Sequence, residues 1–293
     1  MRTVQIPPEA HMAPLLHAYR AAVAAKRARL LTGVTLGLVG LVLSFVGAEV
    51  NLATFWNKLG NFTGYFDRLM HLENGDLVWT DPAEWFWGLH KWSVLMGQTL
   101  LIAYLGTVTG SALAFCAAFL ASPNLLRFAT VRFVVKRLLE FCRTVPDIVF
   151  ALIFVVAFGL GALPGVLALA IHTAGALGKQ YSEVVDNIAM GPVEGVAAAG
   201  GSWFAQVRFG ALPQVLSNFA SYGLLRFEIN VRGAAVLGFV GAGGIGDELI
   251  LAIRKFFYAD VSAILLLLMV CVMLIDTASE RLRHRLLALD ART

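Results

Sequence analysis

Charge is scarce in this sequence. Asp, Glu, Lys and Arg make up 14% of its 293 residues, where an average soluble domain carries about 25%. With 58% of residues hydrophobic, the chain has too little polar surface to coat itself in water. That excludes an ordinary soluble globule and leaves a lipid-embedded one. Cysteine is also sparse. Cys116, Cys142 and Cys271 lie in or beside apolar stretches, with no CxxC or His-rich cluster near them, so packing suits them better than metal or redox chemistry. The histidines are scattered without HExxH spacing, and only His172 falls inside an apolar stretch. There is no P-loop, because Gly178-Lys179 is followed by Gln180 and lacks the preceding glycine. The chain is therefore not expected to be catalytic, to hydrolyse ATP or to hold a metal itself.

What is present is a set of long uncharged runs. Residues 31–48 and 94–122 carry no charge, and each can supply the roughly 20 residues of one membrane span. Residues 148–178 are also uncharged, but Gly159, Gly161, Pro164 and Gly165 interrupt them. That spacing predicts two helices and a tight turn, the first starting before Asp147 and drawing in Arg143 and Pro146. Residues 213–240 are apolar except for Arg226, Glu228 and Arg232, and a last span covers about 257–279. The expected fold is all-α and polytopic, with six transmembrane helices.

Charge placement orients them. Arg2, Arg20, Lys26, Arg27 and Arg29 precede the first span; Arg127, Arg132, Lys136, Arg137 and Arg143 follow the second; Arg281, Arg283, Arg285 and Arg292 end the chain. The positive-inside rule puts all three groups in the cytoplasm of a bacterial inner-membrane protein, which requires an even number of spans. No small-residue cleavage site stands out behind the first apolar stretch, so it is expected to stay as an anchor. Residues 51–93 then lie outside and hold five of the six tryptophans. Leu52, Phe55, Trp56, Leu59, Phe62, Phe66 and Leu69 recur at helical spacing, which predicts an amphipathic helix on the outer interface or, alternatively, a docking surface for an external partner.

Between the fourth and fifth spans, the cytoplasmic segment 179–212 contains Glu194 and then Ala197, Ala198, Ala199, Gly200 and Gly201, followed by Leu212-Pro213. Residues with almost no side chain let a partner pack against the backbone, and a short helix, a glycine break and a second helix make a rigid knob. Glu194, Gly200, Leu212 and Pro213 match the spacing of the EAA loop in permease subunits of bacterial ATP-binding-cassette importers. Two departures stand out: Gly195-Val196 replace the usual alanines, and Gly210 stands where an aliphatic residue is usual. The runs 143–147, 227–232, 238–246 and 275–283 narrow the likeness. Over roughly residues 90–286 the chain resembles the permease of phosphonate-type importers, of the MetI-like fold.

That resemblance implies a transmembrane domain at 94–286 with a coupling loop at 179–212, preceded by a less similar segment at 1–93. It implies a second copy of the chain, a separate ATPase dimer that uses ATP-Mg, a periplasmic phosphonate-binding protein and no nucleic-acid partner. The cargo would be phosphonate or a related small oxyanion. Another small solute such as an amino acid, or secondary transport, remains the alternative.

In the fifth span Arg226 and Asn230 share one helical face, as do Glu228 and Arg232. Charges at membrane depth are costly and face a pore or a partner, and an Arg fork matches the oxygens of a phosphorus oxyanion. These four residues are candidate lining for a substrate path. Otherwise Glu228 and Arg232 pair with each other and Arg226 snorkels or bonds carbonyls. Arg143 and Asp147, flanking Pro146, are expected to form a local ion pair at a kink. Gly241, Gly243, Gly244 and Gly246 spell a dinucleotide fingerprint, but that motif needs a strand before it. Here they predict closely packed backbone near an outer gate.

Overall fold

In the computed structural model, which describes residues 9–290, the apolar stretches are helical. Arg2 and Arg292, two of the charges used for orientation, lie outside the described residues. The chain divides at Gly64 and Tyr65 into two compact units. The first holds α1 (Glu9–Gly47) and most of α2 (Leu52–Leu69). In α1 the apolar side chains from Leu30 to Val46 stand exposed, which is the surface a bilayer covers. The Thr32 and Thr35 hydroxyls donate to the Ala28 and Leu31 carbonyls at 2.9 Å, so neither is left unsatisfied in that surface. Asn51 starts α2 by accepting the Thr54 N–H at 2.9 Å. The predicted apolar stripe from Leu52 through Phe62 is exposed along it.

The second unit runs through α3 (Pro82–Trp85), α4 (Leu89–Ala121), α5 (Ala129–Thr144), α6 (Asp147–Phe158), α7 (Ala162–Asp186), α8 (Met190–Ala198), α9 (Trp203–Ala205), a wider-wound turn at Gln206–Ala211, α10 (Leu212–Leu237), α11 (Ile245–Arg254) and α12 (Tyr258–Asp290). α7 is central and packs against α4, α5, α6 and α10. Small residues permit this. A Cβ on Gly106 would lie 2.7 Å from the Leu169 Cβ, and one on Gly110 2.6 Å from the Thr173 Cβ, so α4 and α7 meet at the backbone. Association of helices in lipid relies on such close approach. One core joins Ile102, Leu169, Val231 and Leu237. A second joins Phe119, Leu177, Val215 and the stacked pair Tyr181 and Phe219, whose ring centroids are 3.9 Å apart.

Among the described residues, four helices are long and apolar enough to cross a membrane: Leu16–Gly47, Leu89–Ala121, Ala162–Asp186 and Tyr258–Arg285. Two further pairs pass the same test only together, Ala129–Thr144 with Asp147–Phe158 at 87°, and Trp203–Val240 with Ile245–Arg254 at 48°. The turn predicted inside 148–178 is present, with Gly159 and Gly161 at φ 86° and 137°. The helix before it bends at Pro146, where a kink was expected, but by a full 87°. α5 and α6 do not form one straight rod through Pro146, and the 12 residues of α6 reach only about 18 Å. The expected Arg143–Asp147 ion pair is also absent among the described residues. The Asp147 carboxylate instead accepts the Ile148 N–H at 2.9 Å at the start of its own helix.

Residues 65–93 are less free than an interfacial belt. Trp92 is buried, the Trp85 indole donates to Ser262 Oγ at 3.0 Å and the Trp87 indole to Asp260 Oδ1 at 2.8 Å, while Lys91 pairs with Glu248 at 2.7 Å. These contacts fasten the segment to α11 and the start of α12.

Candidate functional site

The small-residue segment forms a stem and a knob. At the stem the Gln214 side chain accepts the Ala189 N–H at 2.9 Å and donates to the Ala189 carbonyl at 3.0 Å, tying the entry to α8 onto the first turn of α10. α8 then ends in a double hydrogen bond: Gly200 N–H donates to Ala197 O and Gly201 N–H to Val196 O, both at 2.9 Å, with Gly200 at φ 80°. This is the Schellman arrangement, which needs a residue free to adopt positive φ. A Cβ on Gly201 would lie 2.6 Å from Val196 Cγ1. Glu194 and Ala197 through Gly200 are exposed, and so is Leu212's neighbour Pro213.

Gly210, the departure from the usual aliphatic position, has a physical reason. Its missing Cβ would stand 2.8 Å from the Val193 Cα, so the turn before α10 lies directly on α8. Val193 is itself buried there. Trp203 adds a brace by donating to the Leu125 carbonyl at 3.2 Å. Phe204 and Phe209 remain 77% and 64% exposed, with Arg208 over the Phe209 ring. Sequence reasoning passed over these three. Large aromatics within a short small-residue loop were the available signal.

The charged residues of α10 separate onto two faces. Asn230 is fully buried, and its side-chain amide donates to Thr107 Oγ1 and Thr173 Oγ1, each at 2.8 Å. Arg226, one turn earlier, donates through Nε to the same Thr173 hydroxyl and through Nη2 to His172 Nδ1. The guanidinium therefore neither snorkels nor bonds carbonyls; α7 side chains hold it. His172 accepts this bond in its neutral form. On the other face Arg232 does not pair with Glu228. It binds both oxygens of Asp276 on α12 at 2.9 Å, and buried Glu228 has one carboxylate oxygen without a partner among the described residues. The structure thus brings Arg226 and Asn230 together with His172 and Thr173, and leaves Glu228 and Arg232 facing α12. In the sequence His172 stood out only as the histidine inside an apolar stretch, and the threonines gave no sign of their role.

Arg226 and His172 border a cavity of about 500 Å³ that also reaches Arg143, Lys179, Glu183 and Tyr222. Lys179 and Glu183 pair at 2.8 Å across one helical turn.

The glycine loop after α10 is packed tightly. Gly241, Gly243 and Gly244 all have positive φ. The Gly241 carbonyl accepts the Gly161 N–H at 3.0 Å, and Thr99 Oγ1 accepts the Ile245 N–H at 2.8 Å. A Cβ on Gly246 would fall onto the Ala235 carbonyl. A helix and a short 3₁₀ turn precede this loop, so the strand that a dinucleotide site requires is missing. Among the described residues no group of His, Cys, Asp and Glu could hold a metal.

Comparison with known proteins fits this geometry. Over 198 residues the chain is 39% identical to the phosphite transport system permease protein PtxC of Stutzerimonas stutzeri, covering 68% of this chain and 72% of that one. It is 40% identical over 189 residues to the phosphate-import permease protein PhnE of Mycolicibacterium smegmatis, covering 64% of this chain and 35% of that one. The inward-facing MetNI methionine ABC transporter shares the fold, with a TM-score of 0.58 at 20% identity over 67% of this chain and 95% of that one. Residues 106–287 match the family described as the binding-protein-dependent transport system inner membrane component, and the chain belongs to that family of multi-pass inner-membrane permeases.

Proposed function

We propose that this chain is the membrane-spanning subunit of an ATP-driven importer for a phosphorus oxyanion such as phosphonate, phosphite or phosphate. The observation that carries the reading is the identity of about two residues in five, across roughly two-thirds of the chain, to permeases named for phosphite and phosphate. An external binding protein hands the anion to a path between two copies of the chain. The exposed knob from Glu194 to Gly201, with Leu212 and Pro213 at its base, seats in a separate ATPase subunit that binds ATP-Mg. The clamps at Gln214 and Gly210 make the knob rigid enough to pass a push on to α10. ATP binding then biases inward- and outward-open states that differ by a few kcal/mol.

Six spans with both ends in the cytoplasm follow if each bent pair is one crossing, since four long helices and two pairs make six. The turn at Gly159–Gly161 and the loop 241–246 then lie on the outer side, where the hydrogen bond from Gly161 to Gly241 makes them candidate parts of a gate. Loss of the chain is expected to abolish uptake of phosphite or methylphosphonate by whole cells, with amino-acid uptake unchanged. Lost amino-acid uptake with intact oxyanion uptake would reverse the substrate assignment.

A further inference from the structure

We propose that the cavity between α5, α7 and α10 is a binding site for the phosphorus oxyanion within the permease, with Arg226 and Arg143 as its anion-holding residues. This rests on the oxyanion reading above and deepens it by naming where the anion is held. Arg226 is built into place: Nε is fixed on Thr173 and Nη2 on His172. Its Nη1 donates to no acceptor among the described residues, and the side chain borders the cavity. A guanidinium clamped by two of its nitrogens with the third free is pre-organised to bind an oxygen of the ligand.

Arg143 closes the cavity from the C-terminal turn of α5, and no carboxylate lies within ion-pair distance of it among the described residues. Charge also favours an anion. Glu183 is already engaged by Lys179. Asp147, close enough to act on Arg226 and His172, is the remaining nearby carboxylate. Three cations thus face two carboxylates before any ligand arrives. Two guanidiniums on separate helices suit the three-oxygen face of a phosphonate or phosphite better than a zwitterionic amino acid. Tyr222 adds a hydroxyl on the wall. A volume of about 500 Å³ falls in the usual range for a small-ligand site, about 300–1,000 Å³.

The test is equilibrium binding of radiolabelled phosphite, methylphosphonate or phosphate to the full-length chain in phosphatidylcholine nanodiscs, beside uptake of the same anions by cells carrying the whole importer. At least one anion is expected to bind saturably. Arg226→Gln and Arg143→Gln are each expected to weaken that binding about tenfold, the size of one lost charge-assisted hydrogen bond. Arg226→Lys falls between, because it keeps the charge but not the fork. If Arg226→Gln fails to fold, Arg143→Gln carries the test, since that side chain is exposed and unpaired. Cells that import an anion which the chain in nanodiscs does not bind, or Gln variants that bind like wild type, overturn the site and leave the function standing. Loss of binding when phosphatidylglycerol replaces half the lipid makes a lipid headgroup the occupant, which also overturns it. Cells that import no phosphorus anion overturn the function, and the site falls with it.

Discussion

Gly210 carries more of the knob's geometry than its size implies. A Cβ there meets the Val193 Cα at 2.8 Å and the Val193 N at 3.0 Å. Gly210→Val is expected to destabilise the protein by about 1–3 kcal/mol, the usual range for overpacking, read as a lower unfolding temperature in detergent. Adding Val193→Ala is expected to restore little, because the clash is with backbone atoms; full recovery would show that only the valine side chain resists. The sequence registered this residue as a departure from a pattern, without its cause. That Arg226 and Asn230 share one face of α10, apart from Glu228, was legible from helical spacing alone. The partners were not. His172 and Thr173 lie more than fifty positions away, and Asp276 takes Arg232 from a helix whose docking no local pattern encodes.

Among the elements, α8 and its glycine end form a unit whose conformation can be tested without touching its surroundings. Gly200 has open space around its Cβ position but a φ of 80°. Gly200→Leu therefore strains backbone rather than packing, at about 1–2 kcal/mol for the left-handed conformation. Membrane insertion is expected to stay normal while ATPase stimulation by loaded binding protein drops at least tenfold, measured on the reconstituted importer. Unchanged stimulation would mean that the Schellman end does not shape the contact with the ATPase. The existence of α4, α7 and α12 was plain from long apolar runs, since a bilayer imposes both length and composition. The bends were harder to read. Pro146 was seen as a kink, but an 87° break also requires α5, with its basic residues, to leave the line of α6, and that depends on how both pack against α7. The tryptophans of 79–92 pointed to an interface by composition, whereas Trp85, Trp87 and Trp92 are mostly engaged with α11, α12 and their own segment.

For the whole molecule, the topology is the first thing to test. Reporter fusions after residue 293, after residue 70 and within 195–201 are expected to read cytoplasm, outside and cytoplasm respectively. A C-terminal reporter on the outer side would remove one crossing, and the 87° pair α5/α6 would then be an interfacial or re-entrant element. Membrane residence follows from composition, and the family from sequence identity over the second unit; the cargo depends on likeness to relatives and on the arginine-bordered cavity. The most direct test of the account is ATP hydrolysis and vesicle uptake by the importer reconstituted with its ATPase and binding protein. Phosphite- or methylphosphonate-loaded binding protein is expected to stimulate hydrolysis severalfold and drive uptake that stops without ATP. Uptake that proceeds without the ATPase subunit, or stimulation only by a binding protein loaded with some other solute, would contradict it.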